Sequence, residues 1–580
     1  MYRSQNRLGG LAPTLGVLLD WVGDPYQIEV LRGLEAGALA AGANLLCFVG
    51  GALTDDAGSG ARQRVYGLAS PHCVDGVIVL ASTLAHQVGA AGLIRLCDAF
   101  RPLPVCSIGV ELEGVASLTV DNEGGMREAV SHLIRDHALS RLAFVRGPEA
   151  NTEAEQRFAA YRTALEQHGL AYDERLVVQG NFTNSSGFSA IGTLENVFGK
   201  NLEGVDALVA ANDGMALGAL RALNERGIDV PGRIAVMGFD DTEDSRLSQP
   251  PLSTERQPLE KLGQQAVRTV LEEAQHRARP KSARLDTEPV RRHSCGCSPI
   301  RADRNRRSLV PDGKYSFEAS LVVRRQHILD SVTRAAQGAL GPAGRDWAGR
   351  LLSALVSDLA EPNGLKLEAE LQSIMDKLLL RGVDLNICDN VIGALRRQVL
   401  PSLKTDPERR DRAEELFHLV RSATSSTIQR ALARDRLQTV HGARFISWAC
   451  NALTATFDYA ELRERLLEQL PRLGIESCFI VLYPESAGPN AAWLFFGYDR
   501  GKEKHWPTEA RFEQKALLPK EWVHAGQSGR SFVVMPLLWK EQRYGHVLVE
   551  FQLAHAFAYG ALAEAIGSAL HGAELAGRAG

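Results

Sequence analysis

A chain of 580 residues, 45% hydrophobic and 23% charged, has an ordinary soluble composition but is too long for one core, so roughly three or four domains are expected. The formal charge of −4 gives no overall pull toward nucleic acid or an anionic membrane. The nine cysteines are scattered apart from Cys295 and Cys297, and no run reaches about 18 uninterrupted apolar residues; a cytoplasmic protein without a membrane span is the expectation.

Residues 1–13 read as a tail, with Arg3 and Arg7 but no apolar run of signal-peptide length. The first half then alternates short apolar strands with amphipathic helices. Strands are expected at Thr14-Leu-Gly-Val-Leu-Leu, Asn44-Leu-Leu-Cys-Phe-Val, Val74-Asp-Gly-Val-Ile-Val-Leu and Val105-Cys-Ser-Ile, with helices over 26–41 and 90–100. The pattern restarts with strands at Leu142-Ala-Phe-Val, Leu176-Val-Val-Gln, Ala207-Leu-Val-Ala and Ile234-Ala-Val-Met-Gly-Phe, and helices over 152–169, 187–198 and 213–226. Strands apolar on both faces and separated by helices indicate parallel sheets covered on both sides. Two such sets predict an α/β domain of two lobes over 14–290, with ligands in the gap beyond the carboxyl ends of the strands. Asp20-Trp21, Asp121-Asn122, Asn212-Asp213 and Asp240-Asp241 fall at those ends.

Residues 291–316 turn to Arg, Pro, Ser and Gly and read as a linker. Residues 317–437 show only helical periodicity, broken near 338–344, 362–364 and 401–407, and predict an all-α module suited to dimerisation. Residues 438–580 mix helices over 445–453, 459–473 and 559–575 with strand-like runs at Cys478, Ala492, Ser531 and Tyr544, a C-terminal α+β domain.

Three segments carry a resemblance: Val120-Asp-Asn-Glu-Gly-Gly with Ala129 and His132-Leu133, Ala211-Asn-Asp-Gly-Met-Ala-Leu-Gly-Ala-Leu, and Val236-Met-Gly-Phe-Asp-Asp-Thr-Glu-Asp-Ser followed by Pro250-Pro-Leu-Ser-Thr. Over about 270 residues the chain resembles the ligand-binding core of the lac-repressor family, whose fold is the type I periplasmic-binding-protein fold. The resemblance implies that Arg157 holds ligand oxygens, that Asn212 and Asp240 make polar ligand contacts, that Gln257 lies near the cleft, and that Trp21 and Phe182 wall the ligand. Asp20 and Asp121 join them as candidates from their place after strands. The residue chemistry is compatible: a polar ligand entering a cleft needs a fixed partner for each hydroxyl or carboxylate, and Arg, Asp and Asn supply donor forks, paired acceptors and both. Each position has a plainer alternative. Asn212 is equally suited to capping the helix that starts at Asp213, Arg157 to a helix surface, Trp21 to core packing and the 240–244 acidic run to a solvated turn.

Repressors of this kind place a DNA-binding headpiece before the core, whereas only about thirteen residues precede the first strand here, so DNA is not an expected partner. The basic run 301–307 reads as solvated linker. Arg292-His-Ser-Cys-Gly-Cys closes the core as in bacterial proteins that fuse it to a signalling output. The C-terminal part, through Leu470-Pro-Arg-Leu-Gly-Ile-Glu-Ser-Cys, Ala516-Leu-Leu-Pro, Val534-Met-Pro-Leu-Leu and Ser568-Ala-Leu-His-Gly-Ala, resembles a GAF-like module. Cys295-Gly-Cys297 is too closely spaced for a zinc knuckle, and no second Cys or His pair follows it at ligand distance. No nucleotide loop, nucleophile elbow or cyclase signature is present, so neither catalytic residue, cofactor nor metal is expected. The expected protein is a homodimeric, non-enzymatic sensor that binds a small polar, sugar- or nucleoside-like metabolite between its two lobes and transmits closure to the helical and GAF-like modules for signalling or transcriptional control, with a downstream kinase, cyclase or regulator as partner. The alternative is the sensory or scaffold part of a histidine kinase or diguanylate cyclase system with a degenerate cleft.

Overall fold

The computed structural model describes residues 12–54, 60–276, 282–297, 317–336, 346–361, 364–379, 385, 387–483, 490–504, 511–519, 529–552, 556 and 558–579, with only the backbone at 276, 435–441, 443, 578 and 579. Most of the 1–13 tail and most of the 291–316 linker, including the basic run 301–307, lie outside the described residues. The chain divides into two compact units, one of Met1–Arg301 with Gly442–Gly580 and one of Ala302–His441.

In the first unit, β1 (Thr14–Leu19), β2 (Asn44–Val49), β3 (Gly76–Leu80), β4 (Val105–Ile108) and β5 (Ala116–Val120) form a parallel sheet in the order β5-β4-β3-β1-β2. Leu15, Val17 and Leu19 of β1 enter one apolar cluster and Leu18 another, which is why these runs are apolar on both faces. A helix over Pro25–Ala41 follows, capped by the Asp24 carboxylate and closed by Gly42 at φ 64°. It lies so close to the helix Leu259–His276 that a Cβ on Gly263 would sit 2.4 Å from the Val30 carbonyl oxygen.

A second lobe is built on β6 (Leu142–Arg146), β7 (Val177–Gln179), β8 (Ala207–Ala210) and β9 (Ala235–Met237), parallel in the order β7-β6-β8-β9. Three chain crossings join the lobes. The first leaves β5 through the helix Asn122–His137; the second runs from β10 (Thr254–Arg256) to Leu259–His276. The third lies between β11 (Ala283–Leu285), which pairs with β5, and β12 (Glu288–Val290), which pairs with β10.

The C-terminal strands β13 (Ser477–Leu482), β14 (Ala491–Asp499), β15 (Lys502–Glu503), β16 (Phe512–Glu513), β17 (Ser531–Trp539) and β18 (Gln542–Glu550) form an antiparallel array ordered β17-β18-β13-β14-β15. One feature was not foreseen. β17 pairs in parallel with β2, from Ser531 with Leu45 to Val534 with Phe48, so the two arrays are one 12-stranded sheet. β2 would otherwise be an apolar edge with a row of unpaired backbone groups. Arg530 fastens the seam: its backbone N–H donates to Asn44 Oδ1 at 3.0 Å, and its guanidinium reaches Ser477, Asp499 and Glu550.

The second unit contains, among its described residues, the helices Phe317–Ala335, Trp347–Ala360, Lys366–Leu379 and Ile387–Val399, with a core that includes Leu355, Ile374, Leu378, Leu395 and Phe417. The expected break at 437–438 falls inside one continuous helix, Pro407–Thr454. Pro407 starts it, and within it no other proline and a single glycine, Gly442, interrupt helical propensity. Among the described residues no helix is long and apolar enough to cross a membrane.

Candidate ligand-binding site

The loops after β1, β3, β5, β8 and β9 bring polar side chains into the gap between the two lobes. At its centre stands Arg157, in the helix Thr152–Gln167 and only 3% exposed. Its Nε donates to Asn122 Oδ1 and its Nη1 to the Ala211 carbonyl, each at 2.8 Å. The same Nη1 lies 3.7 Å from Asp240 Oδ1, Nη2 lies 3.9 Å from Glu153 Oε1, and the guanidinium sits 3.9 Å from the centre of the Phe239 ring. One cation thus serves two buried carboxylates. Burial pushes Asp240 well above the ordinary carboxylate range against the pull of Arg157, and it raises Glu153 against Arg157 and Asn122.

Asp240 has φ 126° and its neighbour Asp241 φ 63°, conformations that side-chain-bearing residues rarely adopt. The surroundings hold them there. Asp240 N–H donates to the Glu255 carbonyl at 2.8 Å, and burial of Asp241 is outweighed by Arg292, Arg246 and Arg256, which keep its carboxyl below the ordinary range. Gln257 Nε2 donates to Asp240 Oδ1 at 2.6 Å, while Gln257 Oε1 is a buried acceptor with no partner among the described residues. Behind them Asp213 accepts from Thr254 Oγ1 at 2.7 Å and Thr242 N–H at 2.9 Å, and burial pushes its carboxyl up to about 6.

The first lobe answers with Tyr26, Ser82 and His86. Tyr26 Oη and Ser82 Oγ are 3.1 Å apart, and Asn151 Nδ2 of the second lobe donates to the Ser82 carbonyl at 2.9 Å. The His86 ring lies 5.7 Å from that of Phe182, which itself has φ 69°. Burial raises the Tyr26 phenol, with Glu153 and Asp240 adding to the effect, and lowers the His86 imidazole. The lobes therefore meet through hydrogen bonds and ring contact, in a closed arrangement.

The anticipated residues divide accordingly. Arg157, Asp240 and Gln257 form one cluster, with Phe182 at the lobe junction. Asn212 is adjacent through Ala211, but its side chain caps the helix Asp213–Glu225 by accepting from Met215 N–H at 3.0 Å and donates to the Phe182 carbonyl at 3.1 Å. Asp20 Oδ1 is buried without a partner among the described residues. Asp121 caps the helix Asn122–His137 through Gly124 N–H and pairs with Arg284. Trp21 is 44% exposed; with Arg62, Trp539 and Glu564 it lines a cavity of about 620 Å³ beside the C-terminal helix Ala558–Ala579, and Arg157 is not part of that lining.

Tyr26, Ser82, His86, Asn151 and Glu153 were not anticipated, and Asn122 was anticipated only as part of the Asp121-Asn122 cluster at a strand end. Glu153 and Arg157 share a helix face at i,i+4 spacing, a signal visible in sequence, but nothing local separates a buried pair from a surface one. The expectation that Cys295 and Cys297 lack a second pair of donors is corrected: His132 and His137 lie beside them, contributed by a helix earlier in the chain.

Residues 130–295 match the family described as a periplasmic binding protein-like domain. The HTH-type transcriptional regulator CelR of Thermobifida fusca is 34% identical over 215 residues, which are 36% of this chain and 60% of that relative, so the chain spans less than two thirds of its length. The HTH-type transcriptional regulator GalR of Escherichia coli (strain K12) is 29% identical over 290 residues, 50% of this chain and 80% of GalR. Among solved structures, the transcriptional regulator CelR–cellobiose complex aligns at 27% identity and a TM-score of 0.43, covering 50% of this chain and 87% of that one.

Proposed function

We propose that the periplasmic-binding-protein-like domain in the first half of this chain is a sensor that closes on a small, hydroxyl-rich metabolite of sugar or nucleoside type and has no catalytic role. The observation that carries this reading is the cross-lobe cluster in which Tyr26 and Ser82 face Asn151, Glu153, Arg157 and Asp240, with the Gln257 Oε1 acceptor left unpartnered among the described residues. A buried acceptor without a donor costs roughly 1–3 kcal/mol, a cost that a ligand hydroxyl removes. A ligand that bonds both lobes favours the closed form in proportion to its differential affinity for it. The similarity to transcriptional regulators fits a regulatory readout, and the chain's own modules suit it: a homodimer formed through the helical unit, a GAF-like C-terminal domain, and a cytoplasmic kinase, cyclase or regulator as recipient. Direct continuity between the first-lobe sheet and β17 gives closure a mechanical path to the C-terminal strands.

Calorimetry on the full chain with sugars, nucleosides and related metabolites tests this. The expected result is a binder that Asp240→Ala and Arg157→Ala each weaken by about tenfold or more, the loss of one charge-assisted contact. Unchanged affinity in both variants would refute the cleft assignment. A second reading, a scaffold with a degenerate cleft, draws on the fact that Arg157 Nε and Nη1 are already engaged by Asn122 and Ala211. It predicts no binder in the panel.

A further inference from the structure

Away from the cleft, the second lobe gathers four soft donors at one point. His132 and His137 come from the end of the helix Asn122–His137; Cys295 and Cys297 come from the turn that follows β12, at the close of the binding domain. Their ligand atoms all lie within 4.8 Å of one another. His132 Nε2 is 3.6 Å from Cys295 Sγ, 3.5 Å from Cys297 Sγ and 3.2 Å from His137 Nε2, and Cys297 Sγ is 3.4 Å from His137 Nε2.

We propose that these four residues bind one structural transition-metal ion, zinc by donor chemistry, which ties the closing segment of the binding domain to the helix Asn122–His137.

Three features argue for a shared cation over chance packing. The first is spacing. A tetrahedron with Zn–S of about 2.3 Å and Zn–N of about 2.0–2.1 Å has S–N edges of about 3.6 Å and N–N edges of about 3.3 Å. The observed separations follow those edges. The second is valence. His132 Nδ1 lies 2.7 Å from Asp136 Oδ2, so that nitrogen carries the proton and Nε2 offers a single lone pair. One lone pair satisfies one hydrogen, yet three donor groups crowd it; a cation at the centre relieves all four groups together. A carboxylate behind a ligating imidazole is also the usual means of fixing its tautomer.

The third is the turn. Gly296 has φ 96°, and a Cβ there would come within 3.2 Å of His137 Nδ1, so only glycine both makes this bend and leaves room for the imidazole. Ser253 Oγ donates to Cys295 Sγ at 3.1 Å, a bond that suits a thiolate ligand. Two thiolates and two imidazoles form a closed tetrahedral set with no position left for substrate, which makes the site structural. Such an ion would close a loop between residues 160 apart, His137 and Cys297, and so hold the segment in place. The spacing conceals the site in the sequence: the two cysteines are too close for a knuckle, and histidines five apart are about 140° apart round a helix.

The test is metal analysis of the full chain, grown with zinc and purified without chelator, beside Cys297→Ser and His137→Ala, which alter the less buried members of the set. The proposal predicts about one zinc per chain, reduced at least about fivefold in each variant. Cobalt reloaded into the wild-type protein should give the intense visible bands of a tetrahedral site with thiolate charge transfer, a readout that stands even if the variants misfold. Wild-type protein without stoichiometric metal and without those bands overturns the proposal. So does metal content unchanged in the variants, or a Cys295–Cys297 disulfide in freshly purified protein.

Discussion

Replacing Arg157 by methionine keeps most of the side-chain length but removes the charge at the centre of the cleft. Two hydrogen bonds of 2.8 Å are lost, and Glu153 and Asp240 lose the cation between them. Deleting one member of a buried ion pair costs about 3–5 kcal/mol, because the remaining charge has no partner. Multi-unit chains lack a single unfolding free energy, so the loss is best read locally. Urea titration followed by hydrogen exchange in β6 and the helix Thr152–Gln167 should show a midpoint lowered by about 1 M or more. The deficit also has a pH signature. Burial already holds both carboxyls above their ordinary range and Arg157 opposes it, so its removal raises them further. An acid whose folded pKa exceeds the unfolded value costs nothing below the unfolded value and progressively more as pH rises toward the folded one. The deficit should therefore be smallest near pH 4, where only the two lost hydrogen bonds contribute, and should grow as pH rises above the raised folded pKa values of the wild-type carboxyls. A loss under about 1 kcal/mol, or one that does not grow between acid and alkaline pH, would refute the view of Arg157 as the buried counter-ion.

Asp213, pushed up to about 6 from an ordinary 3.8, should cost the folded state up to about 3 kcal/mol as pH rises through that window; thermal melts of Asp213→Asn against wild type should diverge there and run parallel on either side. Gly263→Ala places a methyl 2.4 Å from the Val30 carbonyl oxygen and should lower the stability of the first lobe by about 1–3 kcal/mol in chemical denaturation. Leu45→Pro removes the N–H that bonds the Arg530 carbonyl at 3.0 Å, so exchange in β17 should quicken by about tenfold or more while β6 to β9 keep their protection.

The two-lobed fold was legible because its strands are continuous apolar runs punctuated by polar loops, and those loops fall where a parallel sheet presents a ligand. Arg157, Asp240 and Gln257 were singled out through resemblance, and their side chains lie in contact with one another; the ligand roles the resemblance implies for them are a proposal. Asn212 shows why pattern alone stops short: capping a helix and standing beside Arg157 turn out to be compatible, and the same residue does both. Trp21 is a different case, a residue in the expected place after β1 whose ring lies against Gly560 of the C-terminal helix. The joining of β2 to β17 was invisible because it pairs strands nearly 500 residues apart, each of which reads as an ordinary buried strand; the contact from Asn44 to Arg530 spans 486 positions. The boundary expected at 437–438 lies four residues from the division between the two compact units at 441 and 442, but one helix runs through both positions, so the change from helical to mixed patterning does not coincide with an end of secondary structure.

Amide hydrogen exchange on the full chain, with and without the best binder from the metabolite panel, tests the cleft most directly. Ligand should protect both lobes together, in the segments that carry Tyr26 and Ser82 and in those that carry Asn151, Arg157 and Asp240. Protection confined to one lobe, or to the residues around Trp21 and Glu564, would contradict a ligand held between them.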